Sequence, residues 1–141
     1  MKQRLGFEQS EDGAEVRVEM WVEPGGGVPP HVHPAMEERF EVISGELSFL
    51  AGRKWAKATA GETVLVPAGT RHAYRNSGAE PAHGVCHASP PQTLQEFLED
   101  AAALARDGKI TKRGLPRSPG ALVQVLRLAL RHRKMVLMRP V

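Results

Sequence analysis

Cysteine is nearly absent from this chain. One thiol, Cys86, in 141 residues excludes an internal disulfide framework and any thiolate-rich zinc site. A reducing, cytoplasmic setting is the simplest expectation. No apolar run approaches the roughly 18 residues that a membrane-spanning helix needs, so no membrane span is expected. The first ten residues are polar and charged, without the hydrophobic stretch of an export signal. Aromatic residues make up only 5% of the chain. Acidic residues stop at Asp107: residues 1–90 carry 9 Lys+Arg against 12 Asp+Glu, and residues 91–141 carry 10 against 4. A basic segment of this kind either meets phosphate or docks on an acidic body, its own or that of a partner subunit. No RNP-like or helix-turn-helix signature accompanies it, so docking is favoured and no nucleic acid is expected.

What is present suits a single globular domain. Hydrophobic residues are 41% and charged residues 25%, enough apolar material for a core and too much for a disordered chain. Residues 14–23 alternate, with Ala14, Val16, Val18, Met20 and Val22 on one side and Glu15, Arg17, Glu19, Trp21 and Glu23 on the other. That period of two predicts a half-buried strand. Further strand-like runs follow near 31–34, 38–44, 46–50, 54–58, 62–66, 71–76 and 82–88. Turn residues separate them, as in an antiparallel sandwich or barrel. Pro29-Pro30 suits a strand edge or start rather than a central ladder. Trp21 and Trp55 sit on strands, for packing or for a subunit interface.

The pattern changes near Pro90-Pro91. Residues 92–107 place Leu94, Phe97, Leu98, Ala101 and Leu104 on one helical face. Ser118 and Pro119 read as the cap and first residue of a second helix. Its apolar stripe is read as Leu122, Val123, Leu126 and Leu130. Residues 135–138, MVLM, either extend this helix or form a short strand. The expected organisation is a β-barrel over residues 1–90 and a helical extension over 91–141, packed on the barrel or on a partner subunit.

Three histidines and one carboxylate carry the chemistry. His31 and His33 are two apart on an extended segment, so their side chains leave the same face. Glu38 opens the next strand. It shares a face with Phe40 and Val42, whereas Glu37 falls on the charged face with Arg39 and Glu41. His72 follows a Pro67-Ala68-Gly69 turn. Three imidazoles and a carboxylate suit one divalent transition metal: Mn, Fe, Ni, Co, Cu or Zn. Four protein ligands leave open positions at which a small organic molecule can bind directly. His83, His87 and Tyr74 are candidate acid–base groups beside such a site. For each the alternative is a plain surface or packing role. Cys86 points opposite to His83 and His87 and reads as a small buried residue. Asn76 reads as a turn or packing residue, and Arg71 and Arg75 as solvent-facing.

Gly25 to Gly45 reads G-x5-H-x-H-x4-E-x6-G, and Gly61 to Asn76 reads G-x5-P-x-G-x2-H-x3-N. The two stretches, separated by 15 residues, resemble the two signature motifs of the cupin superfamily, complete and in order. The resemblance implies an all-β fold, a double-stranded β-helix or jelly-roll barrel, here with a C-terminal helical extension. It implies metal ligation by His31, His33, Glu38 and His72, and a homodimer. Superfamily members with all four ligands include dioxygenases, isomerases and decarboxylases acting on small organic molecules. The expectation is therefore a metal-dependent oxidoreductase of dioxygenase type or an isomerase, the alternative being a non-catalytic binding or sensor cupin.

Overall fold

The computed structural model describes residues 2–111 and 114–139. Lys112 and Arg113 of the basic segment lie outside the described residues. Two five-stranded antiparallel sheets face each other. The first runs in the order β1 (Gln3–Gln9), β2 (Val16–Val22), β9 (Ala82–Ser89), β4 (Glu37–Ser44), β7 (Thr63–Val66). The second runs β10 (Leu137–Met138), β3 (Gly27–Val32), β8 (His72–Arg75), β5 (Glu46–Ala51), β6 (Lys54–Thr59). This is the all-β double-stranded β-helix, built as two opposed open sheets rather than one closed barrel. No helix among the described residues is long and apolar enough to cross a membrane.

The alternation in β2 sets the inner face of the first sheet. Val16, Val18, Met20 and Val22 are all buried. Each such side chain contributes about 1.5–3 kcal/mol by leaving water. The strand begins at Val16 rather than Ala14, because Ser10 to Ala14 form a turn in which the Asp12 carboxylate accepts the Ala14 N–H. Phe40 from the first sheet meets Phe49 from the second at 5.1 Å between ring centroids, joining the two layers. β1 has only Leu5 and Phe7 as half-buried alternating residues; its otherwise polar sequence carried no strand signal of its own.

Pro29 and Pro30 do not sit at an edge. β3 has β8 on one side and β10 on the other. The ladder survives because register shifts between Val28 and His31, so the prolines fall in an irregularity, and β10 pairs only with Val32 and His31. A strand can carry prolines where no N–H is required of them.

The C-terminal region contains α1 (Leu94–Arg106) and α2 (Pro119–Arg131). The Ser118 hydroxyl accepts the Ala121 N–H, with Pro119 in the first turn, as the sequence predicts. The apolar stripe expected for α2 is not the one that packs. Leu122, Val123, Leu126 and Leu130 are exposed. Ala121 is buried, and Val125, Leu128 and Ala129 turn inward to line a cavity. The helix is apolar around most of its circumference, so periodicity alone offers two faces. Thr93 does not cap α1 with its hydroxyl; the hydroxyl is hydrogen-bonded to Nδ1 of His132 at 2.8 Å. His132 closes α2 and sets its ring edge against Phe97. Residues 137–138 form a strand, settling the alternative left open for MVLM.

Gly27 has φ +149°, and a Cβ there would overlap the Tyr74 carbonyl and lie 2.8 Å from the Arg75 Cα. Gly52, at φ +66°, has open space around it. Gly52→Ala is therefore expected to cost only the left-handed backbone term, about 1–2 kcal/mol. Gly27→Ala forces β3 away from β8 and is expected to lower the thermal midpoint clearly more. Parallel thermal melts of the two variants check this.

Candidate metal centre

His31 on β3 is the register partner of His72 on β8. Adjacent strands thus bring two imidazoles together, at 4.2 Å between centroids. His33 follows β3 immediately, and its carbonyl accepts the Gly69 N–H at 2.8 Å, tying the two loops of the motifs together. Glu38 comes from β4 of the opposite sheet. Its carboxylate crosses the interior to reach the imidazoles. One candidate ligand atom from each of these four residues lies within 4.8 Å of the others.

The backbone decides which nitrogen faces inward. His31 Nδ1 is 2.8 Å from the Pro29 carbonyl, His72 Nδ1 is 2.8 Å from the Thr70 carbonyl, and His33 Nδ1 is 2.9 Å from the Met135 carbonyl. A carbonyl only accepts, so each Nδ1 donates, and in the neutral ring each Nε2 carries the lone pair. Fixing the tautomer from behind in this way is the usual support of a ligating histidine. Glu38 Oε1 lies 2.6 Å from His72 Nε2. It lies 3.1 Å from His33 Nε2, but off the line of a hydrogen bond, so that nitrogen is buried without a hydrogen-bond partner. Lone pairs converging on a carboxylate oxygen need a proton or a cation between them. The residues present therefore fit a divalent metal, both by donor chemistry and by the orphaned nitrogen.

The electrostatics agree. Burial, followed by the neighbouring His72 and His33, pushes His31 down to about 3, so it is neutral and able to donate its lone pair. Burial alone would push His33 down, but the adjacent Glu38 carboxylate more than offsets this and raises it. Burial alone would raise Glu38; its contacts with His33 and His72 hold it well below the ordinary carboxylate value. The last two shifts are one interaction seen from its two partners.

A cavity of about 110 Å³ opens on the cluster. Phe40, Tyr74 and Cys86 line it from the sheets, and Phe97, Leu98 and Leu128 from the helices. The Cys86 thiol donates to Glu38 Oε2 at 3.2 Å. Its pKa is pushed well up, first by burial and then by the Glu38 charge.

Of the acid–base candidates, only Tyr74 reaches this cavity. Its hydroxyl donates to Gln3 Oε1 at 2.6 Å, and burial, with the Glu38 carboxylate adding to it, pushes its pKa up. His83 and His87 do not join the cluster. His83 is 2.8 Å from Glu19 and stacks on Trp21; His87 is 3.0 Å from Glu15. Their parity on β9 is opposite to that of Cys86, and β9 turns the cysteine inward. Arg71 donates to the Gly52 and Arg139 carbonyls, and Arg75 lies over the Trp55 ring at 4.1 Å. Asn76 is a buried turn organiser, donating to the Val22 and Glu80 carbonyls. Sequence reasoning missed the Met135 carbonyl and the contact of Cys86 with Glu38. The first has no side-chain signal. The second was available only as strand parity.

Residues 18–87 match the family described as Cupin domain. A Streptomyces cyaneus protein named polyketide synthase CurC is 31% identical over 107 residues, covering 70% of each chain. A Klebsiella pneumoniae protein with a double-stranded beta-helix domain superposes with a TM-score of 0.57 at 27% identity, covering 63% of this chain and 77% of that one. A Thermotoga maritima protein described as a predicted oxalate decarboxylase gives 0.58 at 21% identity, covering 62% and 79%.

The Met135 carbonyl yields a test. Truncation after Lys134 removes this acceptor and β10. The expected result is a loss of about 10–100-fold in Zn²⁺ affinity by calorimetry, the usual size of such a supporting contact, with the β-sheet circular dichroism retained.

Proposed function

This chain belongs to the cupin superfamily, and from that premise we propose that it is a mononuclear metal-binding cupin that takes up a small organic molecule beside the metal. His31, His33, Glu38 and His72 are the proposed ligands. The single observation that carries the reading is the common orientation of the three imidazoles, each with Nδ1 tied to a carbonyl. When bound, a divalent ion of the Mn-to-Zn series supplies Lewis acidity and an open coordination position. The chain's own residues do the rest. The apolar walls exclude water, Tyr74 shapes the cavity, and the Cys86 thiol holds the second oxygen of Glu38. If the protein turns over its ligand, the chemistry fits a dioxygenase-type oxidoreductase or an isomerase. The relative named for polyketide synthesis supports a ligand of polyketide type.

A second reading, binding or sensing without turnover, is favoured by one observation. Tyr74 is the only one of the three acid–base candidates at the cavity, and its hydroxyl is engaged with Gln3. A cytoplasmic setting fits the lone buried thiol and belongs to the same proposal. So does a homodimer, supported by the exposed Leu122, Leu126 and Leu130 on α2, since such patches mark contacts with another chain. Sedimentation velocity reads the dimer directly, and a monomer with those leucines intact removes it.

Elemental analysis of chelator-free protein beside His31→Ala tests the metal. The expected result is about one equivalent of a transition metal, lost in the variant. Protein that takes up no Mn, Fe, Ni or Zn on reloading overturns the reading.

A further inference from the structure

The cavity beside the cluster has a chemical character of its own. Residues 91–141, whose two helices help to line it, carry 10 Lys+Arg. Among the described residues, however, no Lys or Arg lines it. Both helices turn their apolar sides inward instead: Leu94, Phe97 and Leu98 from α1, and Val125, Leu128 and Ala129 from α2. Among the described residues, the only ionisable side chains in the lining are His31, His33 and Glu38 of the cluster, with Tyr74 and Cys86. The Tyr74 hydroxyl donates to Gln3 and the Cys86 thiol to Glu38.

Away from the cluster, a carboxylate or phosphate in this space would give up its hydration and find no cationic side chain among the described residues, which is strongly unfavourable. An apolar ring would meet the walls on nearly every side. The size agrees as well. A closed apolar cavity of about 150 Å³ takes up benzene, and this one is about 110 Å³ with an open side.

We propose that this cavity binds an uncharged, ring-sized, largely apolar molecule that presents an oxygen to the His–Glu cluster, gripped between the sheets and the two C-terminal helices. The oxygen end rests on the metal reading of the previous subsection. The apolar end does not. Specificity would lie in the extension, because α1 and α2 supply the far wall. Ala101 and Ala129, one on each helix, are the small side chains that these helices place in the lining.

The probes are p-cresol, an uncharged single ring with one oxygen, and oxalate, a chelating dianion. Each is titrated calorimetrically into metal-free and Zn²⁺-loaded protein. The same is done for Ala101→Phe and Ala129→Phe, each checked for a cooperative melt. The expected result is p-cresol binding to both wild-type forms and oxalate binding to neither the metal-free protein nor either variant without metal. Filling the cavity from either helix should weaken p-cresol by about tenfold or more, an amount worth ~1.4 kcal/mol. Two variants on separate helices keep the test decisive if one fails to fold. Oxalate binding tighter than p-cresol in the loaded protein overturns the proposal. So does p-cresol affinity unchanged by both fillings, which would place the probe elsewhere. Protein that takes up no Zn²⁺ yet binds p-cresol in a filling-sensitive way would sink the metal reading while upholding the apolar class.

Discussion

A single carboxylate crossing between two sheets is the constraint on which this molecule turns. Glu38 leaves β4 of the first sheet and ends among imidazoles carried by β3, β8 and the turn after β3 of the second. A buried charge in an apolar interior is tolerated only when it is paired. Its partners must therefore arrive from the opposite layer in correct register. The pairing of His31 with His72, the shift at Pro29-Pro30 and the tie from Gly69 to His33 all serve that demand. The apolar contact of Phe40 with Phe49 holds the layers at the spacing the cluster requires.

The sheets and the cluster were readable from sequence for physical reasons. A half-buried strand alternates because successive side chains face opposite sides, and Val16 to Val22 follow that rule without fault. The four-residue cluster was readable because extended spacing puts His31 and His33 on one face, and because Glu38 shares the parity of the buried Phe40 and Val42. Parity says which residues share a face, but not which face points inward. His83 and His87 were left undecided for that reason, and they pair with surface carboxylates in place of the cluster. The packed side of α2 was misread for a related reason. Leu122, Leu126 and Leu130 form a better stripe on paper than Val125, Leu128 and Ala129, but the smaller side chains are the ones that fit over the cavity. The placement of Pro29-Pro30 between two neighbours was also illegible, since it depends on a local irregularity that only the paired strands reveal.

The extension adds a helical wall to the cavity beside the cluster. Its two helices are joined through Thr93, His132 and Phe97, and its last strand lies beside the strand that carries His31. The basic character of this segment points elsewhere, as in the ion pair of Arg131 with Asp100. Among the described residues, the charged side chains of this segment stay outside the lining, although Leu122, Leu126 and Leu130 share the outer side with them.

The hydrogen bond from His33 to the Met135 carbonyl joins residues 102 positions apart. A chain emerging from the ribosome exposes β1 to β9 well before that carbonyl, because domains form as their residues appear. Closing so long a loop is also among the slower events of folding. Until then β1 to β9 can pair while His33 still lacks its backing acceptor. The arrival of Met135 and of β10 supplies that acceptor and sets the third imidazole in the same act.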